Sequence, residues 1–509
     1  MTTEVLIVGA GPTGLVLALW LRRAGVAVRI IDKAAEPGTT SRALAVHART
    51  LESYRQLGLA DQVVGRGLEL LAANLWVGGA HAARIPFGEI GKGLSPFPFV
   101  VIYPQDEHEA FLVERLRSDG VEVERTTELV RLEEHDDVVI AVTRRKDGTE
   151  ASHEAAFVVG CDGARSMVRE LCGIGFPGST YEHVFYVADV EIGGAVDNRE
   201  INVALDEADL LVIFPMKGEH RARLIGTVRK DAEARRDLEL EDVSREAVDR
   251  LGVEIRAAHW FSTYRVHHRV AASFGRGRVF LAGDSAHIHS PVGGQGMNTG
   301  IGDAVNLGWK LVEVLRGRAT STLLDSYEPE RIAFARRLVA TTDRAFTVAT
   351  RSSALARWVR TDVMPRLAPT LARREVFRRF AFRTVSQIMV EYRKGPLAEG
   401  RAGSIQGGDR LPWIEPASGG ADNFTPLATC AWQVHVHGRP PEELSTACKG
   451  LGLQLEVFPW TEAAAAAGYL ENASYLVRPD GYVALADPDA RAGSLAAYFD
   501  ARGWCLRMR

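Results

Sequence analysis

Apolar residues fall in two rhythms along this chain. Val5-Leu6-Ile7-Val8 is an unbroken apolar run that stops at Gly9, the pattern of a strand buried on both faces. A helical rhythm follows, with Leu15, Leu17, Ala18, Leu19 and Leu21 ahead of Gly25. Val26–Ile31 is a second apolar run and ends at Asp32, so the first ~30 residues read as one β-α-β unit. Helical patterns recur at Ala48–Leu57 and Glu107–Leu116. Val121–Val142 reads as strands, a hairpin turn follows near Asp147-Gly148, and Phe157-Val158-Val159 is another buried strand.

From about Gly178 to Arg265 the pattern changes to short alternating segments, such as Leu210–Phe214 and Ala222–Val228, which predict a β-rich layer. Val279–Ala282 returns to the buried-strand pattern. A long helix is then predicted, with Ile301, Ala304, Val305, Gly308, Leu311, Val312 and Leu315 on one face and a stop at Gly317. Residues 351–383 are rich in arginine. Pro365 and Pro369 interrupt them, and solvated helical faces are expected rather than a membrane surface. Gly395–Gly420 has the composition of a linker, and residues 425–509 have a strand-helix-strand texture of their own. The expected fold class is α/β. It divides into 1–177 and 266–394 as two parts of one nucleotide-binding domain, 178–265 as a β-rich insert, and 395–509 as linker and terminal domain.

Composition adds exclusions. With 61 basic and 65 acidic residues the net charge is −4, which gives no field for nucleic acid. Five cysteines without a C-x-x-C pair or zinc spacing imply no metal site and a reduced, cytoplasmic setting. Val5–Leu21 is apolar enough to imitate a targeting segment. It lacks a cationic start and is interrupted by Gly9, Gly11, Pro12 and Gly14, so a buried strand and helix are expected, with no membrane span.

Three motifs carry chemistry. Gly9-Ala10-Gly11-Pro12-Thr13-Gly14 is a G-x-G-x-x-G run between strand and helix. Its glycines permit a tight turn, close approach of a pyrophosphate, and helix–strand packing. The helix N-terminus offers free N–H groups to phosphates. Asp32, at the end of the second strand, suits ribose hydroxyls. This motif alone does not separate NAD from FAD. Gly283-Asp284-Ser285-Ala286-His287 ends a strand, and Pro291-Val292-Gly293-Gly294-Gln295-Gly296-Met297-Asn298 leads into the long helix. The alternative for this pair is a plain strand-loop-helix connection. Asp162-Gly163 closes a third strand, where a capped turn is the alternative.

In order and spacing, the set resembles the flavoprotein aromatic hydroxylases of the para-hydroxybenzoate hydroxylase fold over roughly residues 1–345. Gly277-Arg278-Val279-Phe280-Leu281-Ala282-Gly283-Asp284-Ser285-Ala286-His287 matches that family's G-R-V-F-L-A-G-D-x-A-H context. The resemblance implies a Rossmann-like FAD-binding domain with an inserted substrate sheet. It implies that Gly9, Gly11, Pro12, Thr13, Gly14, Asp32 and Lys33 serve the ADP half of FAD. Arg42 and Gln105 would lie near the flavin, Asp162 would serve FAD and the nicotinamide cofactor, and Gly283 and Asp284 the ribityl chain. Pro291, Gly293, Gly294, Gln295, Gly296, Met297 and Asn298 would form the loop beside the isoalloxazine. Phe214-Pro215 would end a strand above the flavin. Gly408-Asp409-Arg410-Leu411-Pro412 and Arg478-Pro479-Asp480-Gly481-Tyr482-Val483 resemble the ends of the thioredoxin-like domain in the phenol and polyketide hydroxylase subset. Leu485 stands where that subset often has tryptophan.

The implied activity is FAD-dependent, NADPH- or NADH-consuming hydroxylation of an aromatic, phenolic or polyketide-like substrate by O2 through a C4a-hydroperoxyflavin. The catalytic residue is unknown; Tyr186, Tyr264 and Tyr392 are candidates by type, while His267, His268, His287 and His289 read as structural. Alternatives are Baeyer–Villiger or epoxidising chemistry, a flavin-dependent reductase, and a flavin-bearing binding protein without turnover. None of the nine tryptophans forms the W-x-W-x-I-P of flavin halogenases. No macromolecular partner is implied beyond a compatible homodimer.

Overall fold

A computed structural model describes residues 3–38, 43–86, 91–194, 196, 199–205, 210–228, 238–240, 245–289, 294–350, 363, 374–416 and 420–505. Arg42, Pro291 and Gly293, and most of the arginine-rich stretch, lie outside the described residues.

The first sheet is built on the apolar runs. Thr3–Val8 lies between Glu150–Gly160 and Val28–Ile31, parallel to both. Val279–Leu281 joins parallel outside Glu150–Gly160, and Val123–Glu124 outside Val28–Ile31. Val5, Leu6 and Ile7 are fully buried, as a run without alternation requires. The second strand begins at Val28 rather than Val26, because Val26 N donates to Leu21 O and closes the helix Pro12–Arg23. Among the described residues no helix is long and apolar enough to cross a membrane.

The long helix, Gln295–Leu315, packs across the glycine-motif helix Pro12–Arg23. Two glycines let the axes close. A Cβ at Gly300 would sit 2.3 Å from Thr13 Oγ1, and one at Gly308 would sit 2.8 Å from Trp20 Cδ1.

The second sheet has eight strands. From one edge they run His287–Ile288, Glu254–Val270, Gly178–Gly193, Arg221–Thr227, Leu210–Pro215 and Ile201–Leu205. Ala72–Val77 and Ala80–Pro86 complete the far edge, so the sheet draws on chain before residue 178 as well as after it. Its own core includes Tyr186, Ala188, Leu211, Ile213 and Leu224.

The third sheet centres on Gln433–His437, parallel to Gln454–Phe458 and antiparallel to Ser474–Val477, which pairs antiparallel with Val483–Asp487. Helices Glu442–Leu451 and Ala492–Asp500 pack on each other beside it. This layer is docked on the first by ion pairs and rings. Arg410 pairs with Glu52, Arg55 with Asp422 at 2.6 Å, and Trp432 meets Trp309 edge-on at 5.5 Å.

Candidate functional site

Three chain reversals converge at the carboxyl ends of the first sheet, where α/β proteins bind ligands. At the first, Gly9 takes φ +106°, and a Cβ there would lie 2.3 Å from Cys161 O. A Cβ at Gly14 would lie 2.0 Å from Gly9 O, whereas one at Gly11 would meet nothing within 4 Å. Two glycines therefore serve packing, and the third leaves open space in front of the helix N-terminus. Asp32 accepts from Ala10 N at 2.7 Å and from Ala34 N at 2.8 Å, with Arg125 at 3.7 Å. Lys33 is exposed.

The other two reversals are tied to each other. Ser285 Oγ donates to Gly160 O at 2.6 Å. Arg169 donates to Ser285 O and to Ala164 O, each at 2.9 Å. Asp162 is half-buried and accepts from Val168 N at 3.2 Å; burial pushes its carboxyl above the usual range. Gly283 is left-handed at φ +67°, and a Cβ there would lie 2.6 Å from Thr13 Oγ1. In this turn Gly283, Ser285 and Ala286 are buried, and Asp284 alone is exposed.

Between these turns and the second sheet lies a cleft of about 530 Å³. One wall holds Gly11–Thr13, Gly163, Asp284 and Gly294–Met297, with Gln105 beside them. The opposite wall presents Phe214, Ile225, Tyr264, Val266, His267 and His289. Two helix N-termini, at Pro12 and Gln295, open on the same space, each with the partial positive charge of a helix start. Gln105 donates to Glu109 at 2.7 Å, and burial raises the Glu109 carboxyl.

Several expectations change here. Asn298 does not line the cleft. It is 1% exposed, and its amide is committed to the protein: Oδ1 accepts from His47 N and Thr50 Oγ1, and Nδ2 donates to Ala45 O and Gly294 O. Its side chain anchors the start of the helix to chain near residues 45–50. Tyr186 packs on Phe261 inside the second sheet's core, and Tyr392 is buried beside Arg331, so Tyr264 is the tyrosine of the three at the cleft. His287 is structural as expected, 2.6 Å from Asp303 and stacked on Phe274. His268 is 2.5 Å from Ser179 Oγ. His267 and His289 reach the cleft wall. Reading the sequence missed Asp303 and Arg331, which tie the Gly283 turn to the helix Gln295–Leu315. The available signal was polar residues at Asp303, Asn306 and Lys310, spaced like core positions on a helix whose flanks are apolar.

The residues present fit FAD. Open space at Gly11, backbone N–H groups at a helix start and Asp32 at the neighbouring strand end suit an ADP half. The mixed wall beyond Asp284 suits a planar ring. Among the described residues no His, Cys, Asp and Glu cluster suits a metal ion.

Comparison with known proteins gives the same direction. A family described as "FAD binding domain" matches residues 2–342. 6-Methylpretetramide 4-monooxygenase of Streptomyces rimosus is 39% identical over 362 residues, which cover 69% of this chain and 63% of that protein. The match thus spans under two thirds of that relative's length. Dialkyldecalin synthase of Streptomyces rugosporus is 37% identical over 359 residues, covering 70% of this chain and 74% of that one. Among solved structures, CabE, an aromatic hydroxylase from angucycline biosynthesis, superposes with a TM-score of 0.78 at 29% identity, covering all of both chains.

Proposed function

The chain belongs to the FAD-binding family matched over residues 2–342, and from that membership we propose that it is a NAD(P)H-consuming monooxygenase that hydroxylates a phenolic or polyketide-like aromatic substrate. One observation carries this reading. The cleft of about 530 Å³ has a nucleotide-binding wall of glycines and helix N-termini facing an aromatic wall of Phe214 and Tyr264 from the second sheet.

Bound FAD would accept hydride from NAD(P)H and activate O2 for transfer to the substrate. In this reading the chain's own residues do the rest. Gly9, Gly11 and Gly14 admit the pyrophosphate, and the N–H groups at Gly11 and Thr13 meet its charge. Asp32 meets the ribose, with Lys33 at the rim. Asp284 and Gln105 contact the ribityl chain and ring, and Gly294–Met297 lie along the ring. Arg42, Pro291 and Gly293 keep the roles the family resemblance gives them. Asp162 acts through the turn that precedes Arg169. Phe214, Ile225 and Val266 exclude water and hold a planar substrate. His267 and His289 are the groups on that wall able to take a phenol proton, and the Tyr264 hydroxyl can accept a hydrogen bond from it and pass its own proton on.

The division at residues 177, 265 and 394 is part of the same proposal, as is a thioredoxin-like assignment for the terminal layer. A parallel pair with an intervening helix, Gln433–Phe458, followed by the antiparallel pair Ser474–Asp487, supports the latter. A cytoplasmic location is supported by five free cysteines. A homodimer is compatible.

The test is an absorbance spectrum of purified protein, then NAD(P)H oxidation with mono-ring and polycyclic phenols, with products read by mass. Bound FAD, ligand-stimulated oxidation and a product heavier by one oxygen are expected. Oxidation that yields only hydrogen peroxide with every aromatic would overturn the reading. A second reading is favoured by the dialkyldecalin synthase relative: a flavin-bearing protein that converts its ligand without net oxidation. Product of unchanged mass, formed without NAD(P)H, would establish it.

A further inference from the structure

Two parts of the nucleotide wall of the cleft come from separate pieces of chain. One is the Gly283–His287 turn; the other is the start of the helix Gln295–Leu315. Asp303, 1% exposed along its side chain, touches the first: Oδ2 accepts from Gly283 N at 3.0 Å and lies 2.6 Å from His287 Nε2. Its other oxygen accepts from Arg331 Nε at 2.6 Å. Arg331, 3% exposed, reaches the second part by donating from Nη2 to Thr299 O at 3.0 Å. Burial alone would raise the Asp303 carboxyl, yet Arg331 and His287 hold it below its usual range. Gly302 makes room for the guanidinium, since a Cβ there would lie 3.1 Å from Nη2.

The third arm of Arg331 points toward the terminal layer. Nη1 donates to Tyr392 Oη at 2.9 Å. Tyr392 N donates to Gly408 O at 2.7 Å, and the Tyr392 ring lies 4.4 Å from that of Tyr482. Arg478 stands over both rings, at 5.3 Å and 5.5 Å. One guanidinium thus joins both parts of that wall to the terminal layer, through hydrogen bonds shielded from water.

We propose that Arg331 is a positioning residue for FAD: with Asp303 it fixes the spacing between the Asp284 turn and the Gly294–Met297 helix start, and Tyr392 makes that spacing depend on the docked terminal layer. The proposal rests on the flavin reading above. Arg331 is absent from the cleft lining, so its effect on the cofactor passes through the geometry of residues that do line it.

The test uses the full chain stripped of flavin and titrated with FAD, followed by fluorescence and by visible circular dichroism of the bound ring. Arg331→Met removes three charge-assisted or polar hydrogen bonds, and about 10- to 100-fold weaker FAD binding with an altered visible dichroism band is expected. Arg331→Lys keeps the charge and restores part of the affinity. Tyr392→Phe removes one bond and weakens binding about 2- to 10-fold. Arg502→Met, which breaks an ion pair with Glu399 in the terminal layer, leaves affinity within about twofold. A folded Arg331→Met protein with wild-type affinity and dichroism overturns the proposal, even if its melting temperature falls, because a merely structural role would give that result. Should Arg331→Met fail to fold, unchanged affinity and dichroism in Tyr392→Phe overturns it. Failure of the monooxygenase reading is visible separately, as absent oxygenated product from the wild-type protein, and does not touch the FAD titration.

Discussion

Glu330 is a fully buried carboxylate that accepts four hydrogen bonds, and replacing it by glutamine should destabilise the fold through charge rather than shape. Oε1 accepts from Arg478 at 2.7 Å; Oε2 accepts from Arg478 at 3.0 Å, Lys310 at 2.9 Å and Asn306 at 2.7 Å. Glu330 and Lys310 side chains are both 0% exposed. Burial would raise the carboxyl, but Arg478 and Lys310 draw it down to about 2. Burial lowers Lys310 to about 8 against the opposing pull of Glu330. Glu330→Gln leaves two buried cations facing Asp480 alone. Removing one partner of a buried pair costs about 3–5 kcal/mol. The lower end is expected, because Lys310 already releases its proton near pH 8 and without Glu330 does so at lower pH. The sign follows from linkage. Between the variant's lowered Lys310 pKa and pH 8, the folded variant has lost a proton that the unfolded chain keeps, so its stability rises with pH while the wild type's contribution from this group stays flat. The loss should therefore be larger at pH 6 than at pH 8.5. Urea unfolding of flavin-free protein at both pH values measures this without ligand linkage. Lys310→Met with Glu330→Gln leaves Arg478 balanced by Asp480, and should recover part of the loss. A single-variant cost below about 1 kcal/mol, equal at both pH values, would refute the reasoning.

Gly11→Val should leave thermal stability of the flavin-free protein nearly unchanged, since a Cβ there meets nothing within 4 Å, yet weaken FAD by about 100-fold or more, a loss of ~3 kcal/mol in binding; equal losses of both would show that the space is structural. His108, His435 and His437 are held down by burial, to about 3, 3 and 4. Their stabilisation is complete above pH 6.5 and lost as pH falls toward 4, by up to about 1.4 kcal/mol per pH unit for each; urea midpoints that stay level from pH 7 to 5 would contradict this. Tyr264→Phe should lower hydroxylated product per NAD(P)H consumed by several-fold with FAD affinity unchanged, whereas Tyr186→Phe, inside the second sheet, should leave that ratio alone; product yield by mass separates the two.

What the sequence disclosed follows the range of the forces involved. The glycine turns were legible because steric demands at Gly9, Gly14 and Gly283 arise within a few residues or from one packed neighbour. The helices and buried strands of the first sheet were legible because periodicity records which faces are covered. The far edge of the second sheet was not, since Ala72–Val77 pairs with Ile201–Leu205 across more than a hundred residues and nothing local specifies that partner. Asn298 shows the limit of motif reading: a motif marks the loop but not which side chain points inward, and four hydrogen bonds to chain near residues 45–50 and 294 decided it. Asp303, Asn306 and Lys310 teach a more useful rule. Each is 0–1% exposed on a helix read for its apolar face alone. A charge in such a place must have a partner, because an unpaired one costs too much. The partners, Arg331 and Glu330, come from the next helix, and Glu330 is shared with Arg478 from beyond residue 470. Polar residues at core spacing on an otherwise apolar helix are therefore a readable notice of distant chain. Here they marked the docked terminal layer and the bracing of the cofactor cleft at once.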